Sequence, residues 1–305
     1  MRIFYCDHFA LPLPDGHRFP MAKYSLLRTR VDDAGLGRLQ VPEGADDEML
    51  RLVHEAPYVE RARDGRLSDG EMRRIGFPWS SGLVERSRRS VGGTVAAARA
   101  ALADGAAVNL AGGTHHAFPD RGEGFCVFND VAVASRVVQR EAAARRIAIL
   151  DLDVHQGNGT AVIFSDDPSV FTLSVHGLNN FPFRKESSDL DLGLQDGAGD
   201  DAFLDAVERG VTEALSRARP DLVFYVAGAD PFEGDRLGRL AVSKHGMARR
   251  DELVFETCAG AGVPVAVVMS GGYSQSMSDT VDIHFNTVAE ASALAAGRAV
   301  VGAVR

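Results

Sequence analysis

Ala148-Ile149-Leu150-Asp151-Leu152-Asp153-Val154-His155-Gln156-Gly157-Asn158-Gly159-Thr160 is the stretch whose reading decides the fold. It begins as a short apolar run and closes in a glycine-rich turn. That pattern predicts a buried parallel strand that delivers polar side chains to its carboxyl end. On a strand, Asp153 and His155 point to one face, with Asp151 one step deeper. A carboxylate and an imidazole together at the mouth of a sheet suit Zn²⁺ or a similar divalent ion. A buried Asp151 needs a partner or a cation. Taken alone, the same run also fits an ordinary strand end with polar loop residues.

Working outward, strands and helices alternate. Strands are expected at 2–6, 106–110, 147–152, 170–175, 222–227 and 263–269. Helices are expected at 90–103, 130–142, 201–217, 251–261 and 281–300, with another starting near 17–24. The apolar spacing of Met49, Leu52, Val53 and Ala56 predicts one more helix over 46–56, stopped or kinked by Pro57. Such alternation implies an α/β fold, a parallel sheet wrapped on both sides. No linker composition divides the chain, so one domain over residues 1–305 is expected. Four apolar strands end in small-residue turns that carry chemistry: His115 and His116, Asp153 and His155, Asp230, and Tyr273. Sites in open α/β sheets form beyond the carboxyl ends of the strands.

Asp153, His155 and Asp230 make a three-ligand set with room for solvent, the arrangement of a catalytic metal. Such a metal lowers the pKa of bound water towards about 7 and polarises a carbonyl. Asp230 before Pro231 also fits a helix cap or turn. His115 and His116 follow Gly112 and Gly113, which permit a tight turn, and an imidazole there can move a proton to and from water. Asp151 and Asn158 are the candidates to orient them. A His pair in a loop is also often plain solvent-facing polar surface. The Tyr273 hydroxyl can donate to a developing oxyanion, or simply to a backbone carbonyl. Trp79 reads as a loop anchor, and Cys126 as a buried apolar-like residue rather than a nucleophile.

Composition narrows the class. Of the 305 residues, 45% are apolar and 25% charged, as in ordinary globular proteins. A net charge of −9 argues against a nucleic-acid binder. The three cysteines are scattered, which fits a reduced, cytoplasmic setting. The N-terminus lacks a signal-peptide pattern, and no apolar run approaches the ~20 residues of a membrane span.

Together these motifs resemble the zinc-dependent histone deacetylase family, which includes bacterial histone deacetylase-like amidohydrolases and acetylpolyamine deacetylases. The matching text is G-G-T-H-H-A-F (112–118), G-F-C-V-F-N-D (124–130), D-L-D-V-H-Q-G-N-G-T (151–160), G-A-D-P-F-E-G-D-R-L-G (228–238) and S-G-G-Y (270–273). The resemblance implies an arginase-like fold with a mostly parallel eight-stranded sheet. It implies one Zn²⁺ per chain on Asp153, His155 and Asp230. His116 takes the place of the general base, paired to Asn158, and His115 that of the second His, paired to Asp151. Tyr273 takes that of the oxyanion donor. Gly124, Phe125 and Phe181 line the acyl-lysine tunnel. A K⁺ ion is implied at Asp151, Ser174 and the main-chain carbonyls of Asp153, His155 and Val175. Arg18 matches an arginine of an inner cavity. Asn158 and Gln156 replace an Asp and a His of the best-known eukaryotic members, which places the chain nearer the class IV branch.

The implied activity is hydrolysis of acetyl or longer acyl groups from Nε-acyl-lysine of a protein or peptide, or from another acylated small amine. Acetylpolyamines are the first alternative. A binuclear manganese ureohydrolase and a non-catalytic acyl-amine sensor are the others. The sequence leaves the oligomeric state open.

Overall fold

The computed structural model describes residues 1–303 apart from 10, 12 and 15, and the side chains of 298–303 lie outside the description. Eight strands form one sheet: β1 (Arg2–Phe4), β2 (Arg38–Gln40), β3 (Ala106–Asn109), β4 (Ile147–Asp151), β5 (Val170–Gly177), β6 (Leu190–Leu194), β7 (Leu222–Val226) and β8 (Val265–Val268). Their order is β2-β1-β3-β8-β7-β4-β5-β6, and every pairing is parallel. The sheet is therefore wholly rather than mostly parallel, and all its carboxyl ends share one edge.

The central strands are apolar throughout because both faces are covered. Along β7, Val223 and Tyr225 enter one core, while Leu222, Phe224 and Val226 enter the other. Helices α5 (Ser81–Asp104) and α6 (Asp130–Arg140) pack on the second face. The first is covered by α1 (Ala22–Asp33), α8 (Asp200–Ala218), α9 (Lys244–Gly260) and α10 (Met277–Ala303). No described helix is long and apolar enough to cross a membrane.

Some local expectations change. The helix expected over 46–56 is replaced by a single turn, α2 (Asp47–Leu50), capped by Asp46 on the Met49 N–H, and by a separate α3 (Ala56–Arg63). Pro57 opens α3 instead of ending a helix; a proline in the first turn has no N–H to leave unpaired. The spaced residues Met49, Leu52 and Val53 are only half-buried, whereas Leu50, Tyr58 and Val59 are buried. Helices α4 (Asp69–Ile75) and α7 (Asn158–Phe164) and the edge strands β2 and β6 are additions. Helix α7 grows directly out of the glycine-rich turn after β4 and begins at Asn158.

Candidate active site

The strands β3, β8, β7 and β4 are neighbours at the middle of the sheet. Their carboxyl ends bring His115 and His116, Ser270 to Tyr273, Asp230, and the 151–158 segment to one place. Of these, His115, His116, Asp153, His155, Asp230, Ser270, Gly271 and Tyr273 line a single pocket of about 890 Å³.

Asp153 and His155 do not sit on the strand. β4 ends at Asp151, and the two residues lie in the turn beyond it. Strand alternation therefore does not align them. Instead the turn folds back, so that Asp153 Oδ1 accepts from the His155 backbone N–H and faces its Nδ1, both at 3.0 Å. Asp153 Oδ2 accepts from Ser270 Oγ at 2.7 Å and from the Gly271 N–H at 2.9 Å. Asp230 Oδ1 accepts from the Val154 N–H at 3.0 Å. Asp230 Oδ2 is buried without a hydrogen bond and lies 3.2 Å from His155 Nδ1.

Ligand atoms of Asp153, His155 and Asp230 all lie within 4.8 Å of one another, and all three residues are buried. Burial disfavours a charge on Asp230, and the neighbouring Asp153 adds to this, raising its carboxyl to about 6. Burial also opposes charge on His155, yet the close carboxylates of Asp153 and Asp230 outweigh that and push it up to about 10. Such appetite for positive charge marks a cation site. The walls agree. A Cβ on Gly271 would lie 1.9 Å from Asp230 Oδ2, and one on Gly228 would lie 2.6 Å from Asp153 Oδ2. Two carboxylates, an imidazole and an orphaned oxygen in a glycine-walled cradle have the donors for a divalent ion.

His115 and His116 sit on a turn that Asp130 clamps. Its Oδ1 accepts from the Thr114 N–H at 2.7 Å and its Oδ2 from the Gly113 N–H at 3.1 Å. Gly112 and Gly113 have φ of +82° and +74°, a backbone that side chains strain. His115 Nδ1 bonds Asp151 Oδ2 at 2.6 Å. Burial works against its charge, but the fields of Asp151 and Asp153 raise it to about 9. His116 Nδ1 donates to Asn158 Oδ1 at 2.7 Å. Burial, followed by the positive fields of His115 and His155, holds His116 well below the usual value. Its other nitrogen is thereby left as a lone pair.

Tyr273 is buried, and its backbone N–H donates to Asp235 Oδ2 at 2.5 Å. Burial, then the charges of Asp230 and Asp153, push its hydroxyl well above the ordinary value. Phe125 lies 6.0 Å from the Tyr273 ring, and Phe181 lies edge-on to His116 at 4.9 Å. A Cβ on Gly124 would come within 2.7 Å of His116 and 3.1 Å of Phe181. On β5, Ser174 pairs in register with Asp151, with buried Val175 next to it. Cys126 is buried and lines the pocket, and burial pushes its thiol up.

Arg18 is the residue that the resemblance sets at an inner cavity. It lines the pocket but is exposed. The buried cation behind Tyr273 is Lys23, whose Nζ donates to Ser270 O at 2.8 Å and lies 5.6 Å from the Tyr273 ring. Sequence reading also passed over Ser270 and Gly271 as partners of Asp153, and Asp235 as the anchor of Tyr273.

A model of the histone deacetylase domain matches residues 17–288. The chain belongs to the histone deacetylase family. An uncharacterized protein of Picosynechococcus sp. is 48% identical over 92% of this chain and 95% of its own length. The histone deacetylase-like amidohydrolase of Pseudomonas aeruginosa is 34% identical, covering 87% of this chain and 74% of its own. The crystal structure of an HDAC homolog complexed with SAHA superposes with a TM-score of 0.82 at 26% identity, over 96% of this chain and 83% of that one. Membership of this deacetylase family accounts for the α/β architecture as a whole.

Proposed function

We propose that this chain is a zinc-dependent amidohydrolase that removes acetyl or longer acyl groups from Nε-acyl-lysine or a similar acylated amine. The observation that carries this reading is the meeting of Asp153, His155 and Asp230 with His116 and Tyr273 in one pocket. Zn²⁺ held by Asp153, His155 and Asp230 would supply Lewis acidity and an activated water.

The chain's own groups do the rest. His116, with Nδ1–H committed to Asn158, offers its free nitrogen as general base and later returns the proton to the leaving amine. Asn158 accepts that hydrogen bond without adding a negative charge, which favours the neutral base. His115, hydrogen-bonded to Asp151 at 2.6 Å, packs against His116 and is oriented by that carboxylate. The Tyr273 hydroxyl remains protonated at neutral pH and donates to the developing oxyanion. Phe125, Phe181 and Gly124 form an apolar passage suited to a neutral acylated side chain. Asp151 and Ser174, opposite each other on β4 and β5, support the K⁺ assignment, with the carbonyls of Asp153, His155 and Val175 as its other ligands.

Asp153, His155 and Asp230 are the one candidate metal group among the described residues, which does not favour a binuclear manganese centre. The test is purified protein with one Zn²⁺ per chain, assayed on short- and long-acyl lysine peptides and acetylpolyamines. Chelator-sensitive amine release is expected. Zinc-loaded protein that binds acylated amines yet turns none over would make it a sensor instead.

A further inference from the structure

The chain carries a net charge of −9, yet its pocket is ringed with arginine. Arg18, Arg73, Arg74, Arg236 and Arg239 all line it, and all five are exposed. The carboxylates among the described lining residues are Asp153 and Asp230, both buried at the floor. The arginines come in two sets. His17 Nε2 bonds Gly76 O at 2.9 Å, which ties the Arg18 segment to the end of α4, where Arg73 and Arg74 lie. Asn180 bonds Leu237 O at 2.8 Å and accepts from the Arg239 N–H at 3.2 Å, which ties the second set to the Phe181 segment.

Elsewhere on the surface, many guanidinium groups are matched to carboxylates, as in Arg2–Asp104, Arg61–Glu71 and Arg209–Asp205. Around the pocket this matching is thin. Arg239 reaches Asp196 at 3.3 Å, and Arg236 donates to the Tyr273 carbonyl. The side chains of Arg18, Arg73 and Arg74 make no hydrogen bond or ion pair among the described residues. A ring of five arginines, three of them without a side-chain partner among the described residues, focuses an attractive field for anions onto the pocket of an otherwise anionic protein.

We propose that this ring selects acylated lysines carried in acidic sequence, so that the substrate is a peptide segment with Asp or Glu flanking the modified lysine. The proposal rests on the deacylase reading and names its substrate class. Exposed guanidinium groups on both sets can pair with carboxylates on either flank of the lysine, while the neutral acyl side chain enters between Phe125 and Phe181. Charge also favours turnover: deacylation converts a neutral amide into an ammonium, which the ring repels as product. Lysine-rich peptides and acetylpolyamines approach the same ring as cations and are disfavoured before chemistry begins.

The test uses the zinc-loaded full chain and three peptides with one acyl-lysine flanked by acidic, neutral or basic residues. Binding is read by fluorescence anisotropy and turnover as kcat/KM. Acidic flanks should bind more tightly and exceed basic flanks in kcat/KM by about tenfold or more at low salt. The gap should shrink at about 1 M salt, where screening acts over about 3 Å. It should also shrink in the double variant Arg73→Glu, Arg74→Glu. A double variant of equal charge on α8, Arg209→Glu and Arg217→Glu, should preserve it. Equal binding of all three peptides, or a preference untouched by the Arg73 and Arg74 changes, would overturn the proposal. Salt-sensitive binding of the acidic peptide with no hydrolysis of any peptide would uphold the ring and defeat the deacylase reading alone.

Discussion

Gly271 is the tightest point of the site. It is not among the left-handed glycines, so alanine is compatible with its backbone, but the added methyl would sit 1.9 Å from Asp230 Oδ2 and 2.7 Å from Asp153 Oδ2. Gly271→Ala should therefore displace both carboxylates and leave well under one Zn²⁺ per chain after dialysis, measured by elemental analysis. Full zinc content would show that the carboxylates can yield. Tyr273→Phe keeps the ring packed on Phe125 and removes only the donor. It should lower kcat on the order of 10²–10³-fold with little change in KM. Unchanged turnover would remove the oxyanion role. Side-chain chemistry made Tyr273 readable in the sequence; Lys23 and Gly271 were not, for opposite reasons. A lysine at a helix start reads as a solvated tip, and only packing shows its ammonium turned inward onto Ser270 O. A glycine has no chemistry to read, and its value here is the volume it leaves empty.

At the scale of elements, α6 begins where the site's supports converge. Asn129 caps it, accepting from the Ala132 N–H, and its amide donates to Ala117 O and Thr160 Oγ1. The Asn129 backbone N–H donates in turn to His54 Nε2 at 2.9 Å, while His54 Nδ1 donates to Phe118 O. Burial lowers His54 to about 4, and both ring nitrogens are committed to the neutral form. The unfolded chain takes up this proton near the ordinary value of 6.5, and the folded chain does so only near 4. Stability should thus fall as pH drops through that window, by on the order of 3 kcal/mol from this group. Denaturant melts of the native chain and His54→Gln across pH 4–7 would check it. A native acid slope equal to the variant's would contradict it. The same scale explains the misread helix at 46–56. Its apolar spacing was real, but the chain turns between Leu50 and Ala56, and a proline that can end one helix can equally begin another. The edge strand β6 alternates Leu190, Leu192 and Leu194 with Asp191 and Gly193, a legible pattern. β2 is a three-residue edge with too little sequence to show a period.

For the whole molecule, the decisive fact is strand order. β3, β8, β7 and β4 are far apart in the chain and adjacent in the sheet, so four turns share one crevice. The site draws like charges together, and folding carries that cost until a cation offsets it. Zinc should accordingly raise Tm, with about 4 kcal/mol added when free zinc is 1,000 times Kd. Asp230→Asn should lose most of that shift in a calorimetric scan. An equal shift in the variant would place the ion elsewhere.

Local pattern was enough to determine an α/β chain, its central apolar strands, and the residue types that end them, because periodicity and strand-end chemistry are written along the backbone. The tertiary structure decided the all-parallel order, the fold-back that aims Asp153 at His155, the orphaned oxygen of Asp230, and the exposure of Arg18. Each of these depends on contacts between segments distant in sequence, and no one-dimensional pattern records how close such segments come.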